Sequence, residues 1–447
     1  MSKERAAGAM RPRAGVVALA FPGFHLGEER APEKLREALQ LLGRTDLETV
    51  PIPEVVTDVA GCRSAGQTLA RNEVDFICAI LTTFVPDHFA VSLLDCCDVP
   101  IFLWAVEREM DCISLVGAML ANPTMHELGK QYQLDAGDLD DPDILRRLLI
   151  FARASAMRRV LRSMRVGYMG ENPNIMFSIA ADEYGLKKVL GVTVEPIRDF
   201  EYSRRVEAVG DGEARADWQA VTGQVGRVEV AEVDGLDSSR GYLSMVKLAE
   251  EQNLDALSIN CWTHLKSRIC LPIARLNDLG IGAGCEGDLH STILMRLLYV
   301  LGGRAAINGD FLRLFPQENQ ILFSHCGAGP FSMARSREDI VLHASIETRD
   351  GVGVFYPADQ PGTVTAVNLM GSRAGYRLAV MHGRVDRTDM AYEGNPMRVH
   401  FQKSVRQILQ SAVEAGAGHH WSIAYGDQVE EFRLLCRFLG MTCNVLS

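Results

Sequence analysis

The 447-residue sequence lacks the motifs that mark several common classes of protein. No two cysteines have the spacing CxxC, which argues against a structural zinc site. There is no GxxxxGK[ST] motif, so an ATP-binding phosphate loop is not predicted. There is also no apolar run of about 18 residues, the length that a membrane-spanning helix needs. A membrane partner is therefore not expected.

Positive charge is also scarce. The chain has 46 lysines and arginines against 57 aspartates and glutamates, a net charge of −11. A nucleic-acid partner is not expected, because it requires a concentrated basic surface. The 11 cysteines are odd in number and scattered through apolar segments, which is typical of a reducing compartment. The apolar run VVALAF near the start is too short for a signal peptide. We therefore predict a cytoplasmic protein.

Length and hydrophobic patterning predict several domains. A chain of this size is too long for one ordinary core. Up to residue 163, apolar strands such as 74–81 alternate with helical segments, and the alternation returns in residues 164–340. This pattern favours parallel α/β sheets. Residues 341–447 contain short alternating segments with frequent glycines, which favours a β-rich third domain.

Four glycine-containing segments place metal-binding side chains at strand ends or in loops. These side chains are Glu286, Asp288, Asp310, His325, His419 and His420. Carboxylates combined with one or two imidazoles form an oxygen-rich ligand set, which suits Mn²⁺, with Mg²⁺ or Co²⁺ as substitutes. Singly, each residue is more typical of an ordinary loop or core position, so the prediction depends on their combination.

The alternation of side chains along a strand narrows this set. The rings of His419 and His420 are expected on opposite sides, so that one of them serves the site. Cys285 and Cys326 adjoin candidate ligands, but they are left out for the same reason. The predicted ligand set therefore contains no sulfur.

Short motifs stand in a fixed order along the chain. They are ALSINCW at 256–262, CEGD at 285–288, GD at 309–310, HCG at 325–327, and HH at 419–420 with GD at 426–427. PGTVT at 361–365 and the strand around Trp104 fit the same pattern. Together they resemble the L-fucose isomerase/L-arabinose isomerase superfamily, and most closely its L-fucose-isomerase-like branch. The resemblance covers most of the chain and is densest from about residue 255 onward.

The resemblance implies a three-part architecture. Two Rossmann-like parallel α/β domains, at residues 1–163 and 164–340, are expected to precede a β-rich domain at 341–447 that carries the histidine pair. The resemblance also implies Mn²⁺ as cofactor. It further implies a homo-oligomer, a trimer or hexamer, with active sites at subunit contacts.

The same resemblance implies an aldose–ketose isomerase. The family's metal ligands carry over to Glu286, Asp310 and His420, and His325 matches an additional histidine of the arabinose isomerase branch. Glu286 and Asp310 would divide the proton transfers between C1 and C2 of the sugar, through a cis-enediol. Asp288 is expected to support the ligands rather than to bind the metal. Because His420 must be neutral to bind a cation, activity is expected to fall below a pH of about 6.5.

Candidate substrate-binding residues follow the ALSINCW motif. They are Trp262, His264, Lys266 and Arg268, with His419 added from the histidine pair. The basic residues have two interpretations, the solvated start of a helix or a pocket for an anionic group such as a sulfonate or phosphate. The predicted substrate is accordingly a sugar, either 6-deoxy or anionic.

Two other functions fit parts of the pattern. Two α/β lobes also describe periplasmic sugar-binding proteins, so a non-catalytic sugar-binding or regulatory module is the alternative from another class. A metal-dependent aldolase would use a similar intermediate and would be revealed by cleavage of a carbon–carbon bond. Metal content of the purified protein, followed by the substitution Glu286→Gln, separates these functions.

Overall fold

The computed structural model describes residues 10–170, 176–262, 265, 267–346, 348–390 and 392–447. Contacts divide them into two compact units, Met10–Arg159 and Val160–Ser447, here called the amino-terminal and carboxyl-terminal units. Across the described ranges, no helix combines the length and apolar character needed to cross a bilayer. All candidate metal ligands lie in the carboxyl-terminal unit.

The amino-terminal unit is built on a parallel sheet with helices between its strands. Its elements are β1 (Arg13–Leu19), α1 (Ala31–Leu42), β2 (Glu48–Pro51), α2 (Val59–Arg71), β3 (Phe76–Leu81), α3 (Asp87–Cys96), β4 (Ile101–Ala105), α4 (Ser114–Glu127), β5 (Tyr132–Ala136) and α5 (Pro142–Ser163), whose last residues belong to the second unit. The strand order is β2–β1–β3–β4–β5. The central strands β3 and β4 are buried along their whole length, because both faces of a parallel sheet are covered.

The carboxyl-terminal unit begins with a second parallel sheet. Its elements are β6 (Arg165–Met169), α6 (Glu183–Gly185), β7 (Thr193–Ile197), α7 (Asp199–Glu207), α8 (Asp211–Thr222), β8 (Arg227–Glu229), α9 (Glu232–Glu251), β9 (Ala256–Ile259), α10 (Cys270–Asp278), β10 (Gly282–Gly284) and α11 (Leu289–Gly302). The strand order is β10–β9–β6–β7. Neighbouring strands β9 and β10 are parallel, so the segments that follow them lie at the same edge of the sheet.

The rest of this unit is dominated by a mixed sheet. The remaining elements are β11 (Ile307–Phe315), β12 (Gln320–Ser324), β13 (Val341–His343), β14 (Gly353–Phe355), β15 (Gly362–Ser372), β16 (Gly375–Asp386), β17 (Met397–His400), α12 (Val405–Glu414), β18 (His420–Tyr425), α13 (Val429–Leu439) and β19 (Thr442–Val445). The sheet order is β15–β18–β11–β12–β17–β16–β19, and β15 also pairs with β16. The barrel is therefore closed, and its strands in order are β15, β18, β11, β12, β17 and β16. A smaller sheet joins β14, β13 and β8.

The fold class predicted from the sequence is confirmed. The chain is α/β, with parallel sheets in its first part and a β-rich sheet towards its end. The division into three domains at residues 163 and 340 stays a prediction, because contacts separate two units. Strands β11 and β12 precede residue 341 in the chain, yet they pair inside the barrel. This pairing brings Asp310 into the same sheet as His420.

Candidate metal centre

The turn from β10 into α11 presents Glu286. Asp288 caps the helix, because its side chain accepts hydrogen bonds from the backbone N–H of Ser291 at 3.1 Å and from its hydroxyl at 2.6 Å. The N–H of Gly287 donates to the carbonyl of Ile259 at the end of β9, at 3.0 Å. Glu286 itself has φ of 62°, a conformation uncommon for a residue with a side chain. The turn is thus held at both ends, and Glu286 is 8% exposed.

Three glycines allow close packing around this turn, two of them between β10 and α11 and the third against Tyr168 of β6. A Cβ atom on Gly284 would lie 2.2 Å from the hydroxyl oxygen of Thr292, and one on Gly287 would lie 2.9 Å from the hydroxyl of Tyr168. With Gly282 they form the spacing G-x-G-x-x-G, a signal that was missed from the sequence. Dinucleotide-binding turns share this spacing. Here the turn contains the buried carboxylate of Glu286, whose charge is opposite to the one that a pyrophosphate needs.

Three adjacent barrel strands supply the other ligands. Asp310 on β11 lies opposite His420 on β18 and opposite Ser324 at the end of β12. Side chains of directly opposed residues share a face of the sheet, and His325 follows Ser324 in the chain. One ligand atom each from Asp310, His325 and His420 lie within 4.8 Å of one another. The pairing of these strands therefore brings together three of the four predicted ligands.

Glu286 joins this group from the parallel sheet. Its Oε2 lies 3.4 Å from Nε2 of His420, and its Oε1 lies 3.6 Å from Nε2 of His325. The Nε2 atoms of the two histidines are 3.2 Å apart. The structure thus brings together all four side chains that the sequence predicts as metal ligands, including Asp310.

Asp288 orients one of the imidazoles. Its Oδ2 lies 2.8 Å from Nδ1 of His420. Burial alone would raise the pKa of Asp288, but the hydrogen bonds from His420 and Ser291, together with the charges of His420 and His290, lower it to about 2. The carboxylate is therefore ionised and accepts a hydrogen bond from the N–H at Nδ1, which leaves Nε2 to face Glu286. This agrees with the supporting role expected for Asp288.

The site holds its charges by mutual pairing. Burial alone would raise the pKa of Glu286, but hydrogen bonds with His419 and His420 keep it well below its usual range. Burial alone would lower the pKa of His420, but the carboxylates of Asp288 and Glu286 raise it to about 9. Without a metal ion, His420 is thus protonated near neutral pH. A cation that binds there must displace this proton.

The donor atoms fit a hard divalent cation. Oδ1 of Asp310 is buried and has no hydrogen-bond partner among the described residues, although buried carboxylate oxygens normally have one. Within the described ranges of the chain, Glu286 and Asp288 form ion pairs only with histidines. Carboxylate oxygens together with imidazole nitrogens suit Mn²⁺ and similar cations. The residues present therefore fit the cofactor that the sequence predicts.

His419 contradicts the expectation that the histidine pair offers one ring to the site. Its Nε2 lies 3.9 Å from Oε2 of Glu286, and its ring centroid lies 4.0 Å from that of His420. Strand β18 begins at His420, so His419 precedes the strand and side-chain alternation does not apply to it. Its side chain is 40% exposed, which places it at the rim of the site.

The two cysteines beside the ligands also differ from expectation. Sγ of Cys326 lies 3.1 Å from Nδ1 of His325, and Sγ of Cys285 lies 3.7 Å from the same atom. Both cysteines follow the last residue of a strand, Ser324 in β12 and Gly284 in β10, so alternation fails here too. Burial would lower the pKa of His325, but negative charge on Cys326, together with the site carboxylates, raises it well above its usual value.

The predicted substrate-binding residues are only partly described. Trp262 follows β9, is 42% exposed, and donates its backbone N–H to the side chain of Asn260 at 3.1 Å. Arg268 is exposed just before α10. His264 and Lys266 lie outside the described residues. Both interpretations of the basic segment therefore stay predictions.

Known proteins of similar sequence include sugar isomerases. No family model matches the chain. It is 25% identical to the sulfoquinovose isomerase of Priestia megaterium over 418 residues, 89% of this chain and 91% of that protein. It is 25% identical to the sulfoquinovose isomerase of a Clostridium species over 396 residues, 83% and 87% of the two chains. It is also 25% identical to the L-arabinose isomerase of a Nocardioides species over 295 residues, 60% and 58% of the two chains.

Proposed function

Since the relatives point to the L-fucose/L-arabinose isomerase superfamily and indicate an aldose–ketose isomerase, we propose that this chain isomerises its sugar at the metal centre described above. These relatives confirm the resemblance to the superfamily that the sequence motifs indicate. We propose three further features: dependence on a metal ion, the route of the reaction and the identity of the sugar.

One observation carries the proposal. Glu286 and Asp310 come from different sheets, and each lies close to both His325 and His420. Buried carboxylates and imidazoles in contact are a costly arrangement unless protons or a cation balance them. Their convergence supports a divalent cation bound by these four side chains. We propose Mn²⁺, with Mg²⁺ or Co²⁺ as substitutes.

A divalent cation bound here would polarise the sugar carbonyl and stabilise the negative charge that develops on the neighbouring oxygens. The proton transfers fall to the chain's own carboxylates. Glu286 is ionised at neutral pH, because its pKa is well below the usual range, and it can accept a proton. Asp310 offers a buried oxygen without a described hydrogen-bond partner. We propose that the two carry hydrogen between C2 and C1 through a cis-enediol, which is worth roughly 10²–10⁴-fold in rate.

We propose a sugar with a sulfonate group as the substrate. Two of the relatives are named sulfoquinovose isomerase and align with most of this chain. Arg268, exposed after β9, has the chemistry to bind a sulfonate, as have His264 and Lys266 in the same segment. Trp262 and His419 are proposed to contact the sugar itself.

The experiment supplies the protein with sulfoquinovose, its neutral 6-deoxy analogue and L-arabinose, each in D₂O, and follows conversion by proton NMR. We expect the sulfonated sugar to be converted fastest and solvent deuterium to enter the product. Deuterium incorporation distinguishes a cis-enediol from a hydride shift, which retains the original hydrogen. Faster conversion of the neutral sugar would contradict the anionic substrate.

The same experiment tests the alternative of a non-catalytic sugar-binding module. That function predicts saturable sugar binding without conversion of any sugar. A homo-oligomer, trimer or hexamer, and a cytoplasmic location stay predictions. Sedimentation of the metal-loaded protein measures the number of subunits directly.

A further inference from the structure

We propose that Cys285, Cys326 and Nδ1 of His325 form a second metal site, which takes a thiophilic cation such as Zn²⁺ or Cd²⁺. The site lies on the far side of the His325 ring from Glu286. One ligand atom each from Cys285, His325 and Cys326 lie within 4.8 Å of one another. Two sulfur atoms and one nitrogen form a softer ligand set than the one around Glu286, and such a set selects a different class of metal.

The spacing matches tetrahedral zinc. Zn–S bonds of about 2.3 Å and Zn–N bonds of about 2.0 Å place a sulfur and a nitrogen ligand about 3.6 Å apart. Sγ of Cys285 lies 3.7 Å and Sγ of Cys326 lies 3.1 Å from Nδ1 of His325. The distance from Cys285 already matches this value, and a small outward movement of the Cys326 side chain would bring the other distance to it.

Further sulfur ligands lie next to the pair. The thiol of Cys270 is a hydrogen-bonding neighbour of Cys326, and that of Cys261 is a neighbour of Cys285. Both additional cysteines are buried, at 5% and 6% exposure respectively. Structural zinc sites take four ligands. Neither thiol belongs to the group of ligand atoms within 4.8 Å of one another, so one of them would have to move towards the cation to complete the coordination. This grouping comes from the ends of β9, β10 and β12 and the start of α10, and the sequence spacing does not reveal it.

His325 couples the two sites. A neutral imidazole has one lone pair, on either Nδ1 or Nε2. A cation held by the thiols takes the lone pair of Nδ1, and the proton then resides on Nε2, which faces Glu286 at 3.6 Å. A thiophilic cation would therefore remove His325 from the metal centre. This consequence rests on the proposed function, whereas binding of the thiophilic cation does not.

The test titrates the chelator-treated full chain with Co²⁺ and records its absorption. Cobalt bound by thiolates gives an intense charge-transfer band in the near ultraviolet, which cobalt bound by oxygen and nitrogen alone lacks. We expect the band in the unaltered protein and in E286Q, and its loss in the double variant C285S/C326S. The matched control is C436S/C443S, which removes another neighbouring pair of thiols and should keep the band.

Absence of the band from the unaltered protein, or its persistence in C285S/C326S, would overturn the proposal. Should that variant fail to fold, alkylation of the unaltered chain decides. Zn²⁺ should slow the reaction of iodoacetamide with Cys285 and Cys326, measured by peptide mass spectrometry, and should leave Cys443 unaffected. Equal alkylation with and without Zn²⁺ also overturns it. Neither readout needs turnover, so failure of this site is distinguishable from failure of the isomerase proposal, which E286Q tests.

Discussion

Two groups of buried carboxylates in the carboxyl-terminal unit are neutralised in different ways. The side chain of Asp359 is fully buried and forms ion pairs with Arg335 at 3.1 Å and Arg387 at 3.3 Å. Glu286 and Asp288 are buried almost as completely, but among the described residues they form ion pairs only with histidines.

The nature of the positively charged partner, arginine or histidine, determines what each group of carboxylates can do. Arginine keeps its charge at every accessible pH, so Arg335 and Arg387 cannot give up a proton in exchange for a cation, and their ion pairs with Asp359 contribute to folding. Imidazole can lose its proton near neutral pH, so the group around Glu286 can exchange protons for a cation. The buried charge is structural in the first group and available for chemistry in the second.

The largest expected effect comes from replacing a charged carboxylate in each group by a neutral amide. E286Q should lower kcat by at least about 10²-fold, because it removes a ligand and a proton acceptor together. The metal-free variant should also unfold at a lower urea concentration, because protonated His420 loses one of its two carboxylate partners. D359N should likewise lower the urea midpoint, but it should leave kcat nearly unchanged. Full activity in E286Q would remove the distinction between the two groups.

Next in size is the effect of Asp288. D288N should weaken metal binding by about 10–100-fold, because the variant no longer fixes the ring of His420 through a charged acceptor. Asparagine also caps helices well, but the metal-free variant should melt at a lower temperature, because protonated His420 loses its charged partner. Metal titration by calorimetry measures the affinity, and S291A, which removes one hydrogen bond to Asp288, is the control. Equal affinity in D288N would show that the orientation of His420 does not depend on this carboxylate.

Most of these side chains could be predicted from the sequence. Glu286, Asp310 and His420 stand in short motifs that resemble those of the superfamily. Glu286 follows a strand of the parallel sheet, whereas Asp310 lies inside β11 and His420 begins β18. The rule of alternating side chains is valid only inside a strand, and it failed where a strand had just ended or had not begun. Cys285, Cys326 and His419 are such residues, and their contacts needed the structure.

The fold was predictable to a similar degree. Parallel α/β units have a clear pattern of apolar strands and helices. The barrel does not, because β11 and β12 are separated in the chain from β15 to β18, and no local pattern indicates which strands pair. The consequence for the site is direct, since the pairing of β11 with β18 sets Asp310 opposite His420.

The pKa of His420 predicts the third effect. Because it is raised from 6.5 to about 9 in the metal-free protein, it stabilises the folded state fully below pH 6.5. That stability is lost as the pH rises through about 9. Metal binding should release about one proton from this ring between these values, and affinity should rise with pH across the same range.

Calorimetry in two buffers of different ionisation enthalpy measures the protons released. When the metal is saturating, activity should fall only below a pH of about 6.5, the value expected for an ordinary imidazole. With the metal limiting, activity should already decline below a pH of about 9. No proton release at neutral pH would mean that His420 is neutral before the metal binds.

The smallest effect should come from His419. Its Nε2 lies 3.9 Å from Glu286 and its side chain is 40% exposed, so solvent replaces much of the contact. H419A should raise KM a few-fold and leave kcat and metal affinity nearly unchanged, a pattern typical of substrate binding. Steady-state kinetics checks this, and a large loss of metal affinity would instead make His419 a ligand.

X-ray absorption spectroscopy of the manganese-loaded protein tests the central claim most directly. Convergence of Glu286, Asp310, His325 and His420 predicts one manganese per chain, surrounded by oxygen and nitrogen, with scattering from two imidazole rings. H325Q and H420Q should each remove one of these rings. A chain that binds no stoichiometric manganese, or a coordination shell that both variants leave unchanged, would contradict the account.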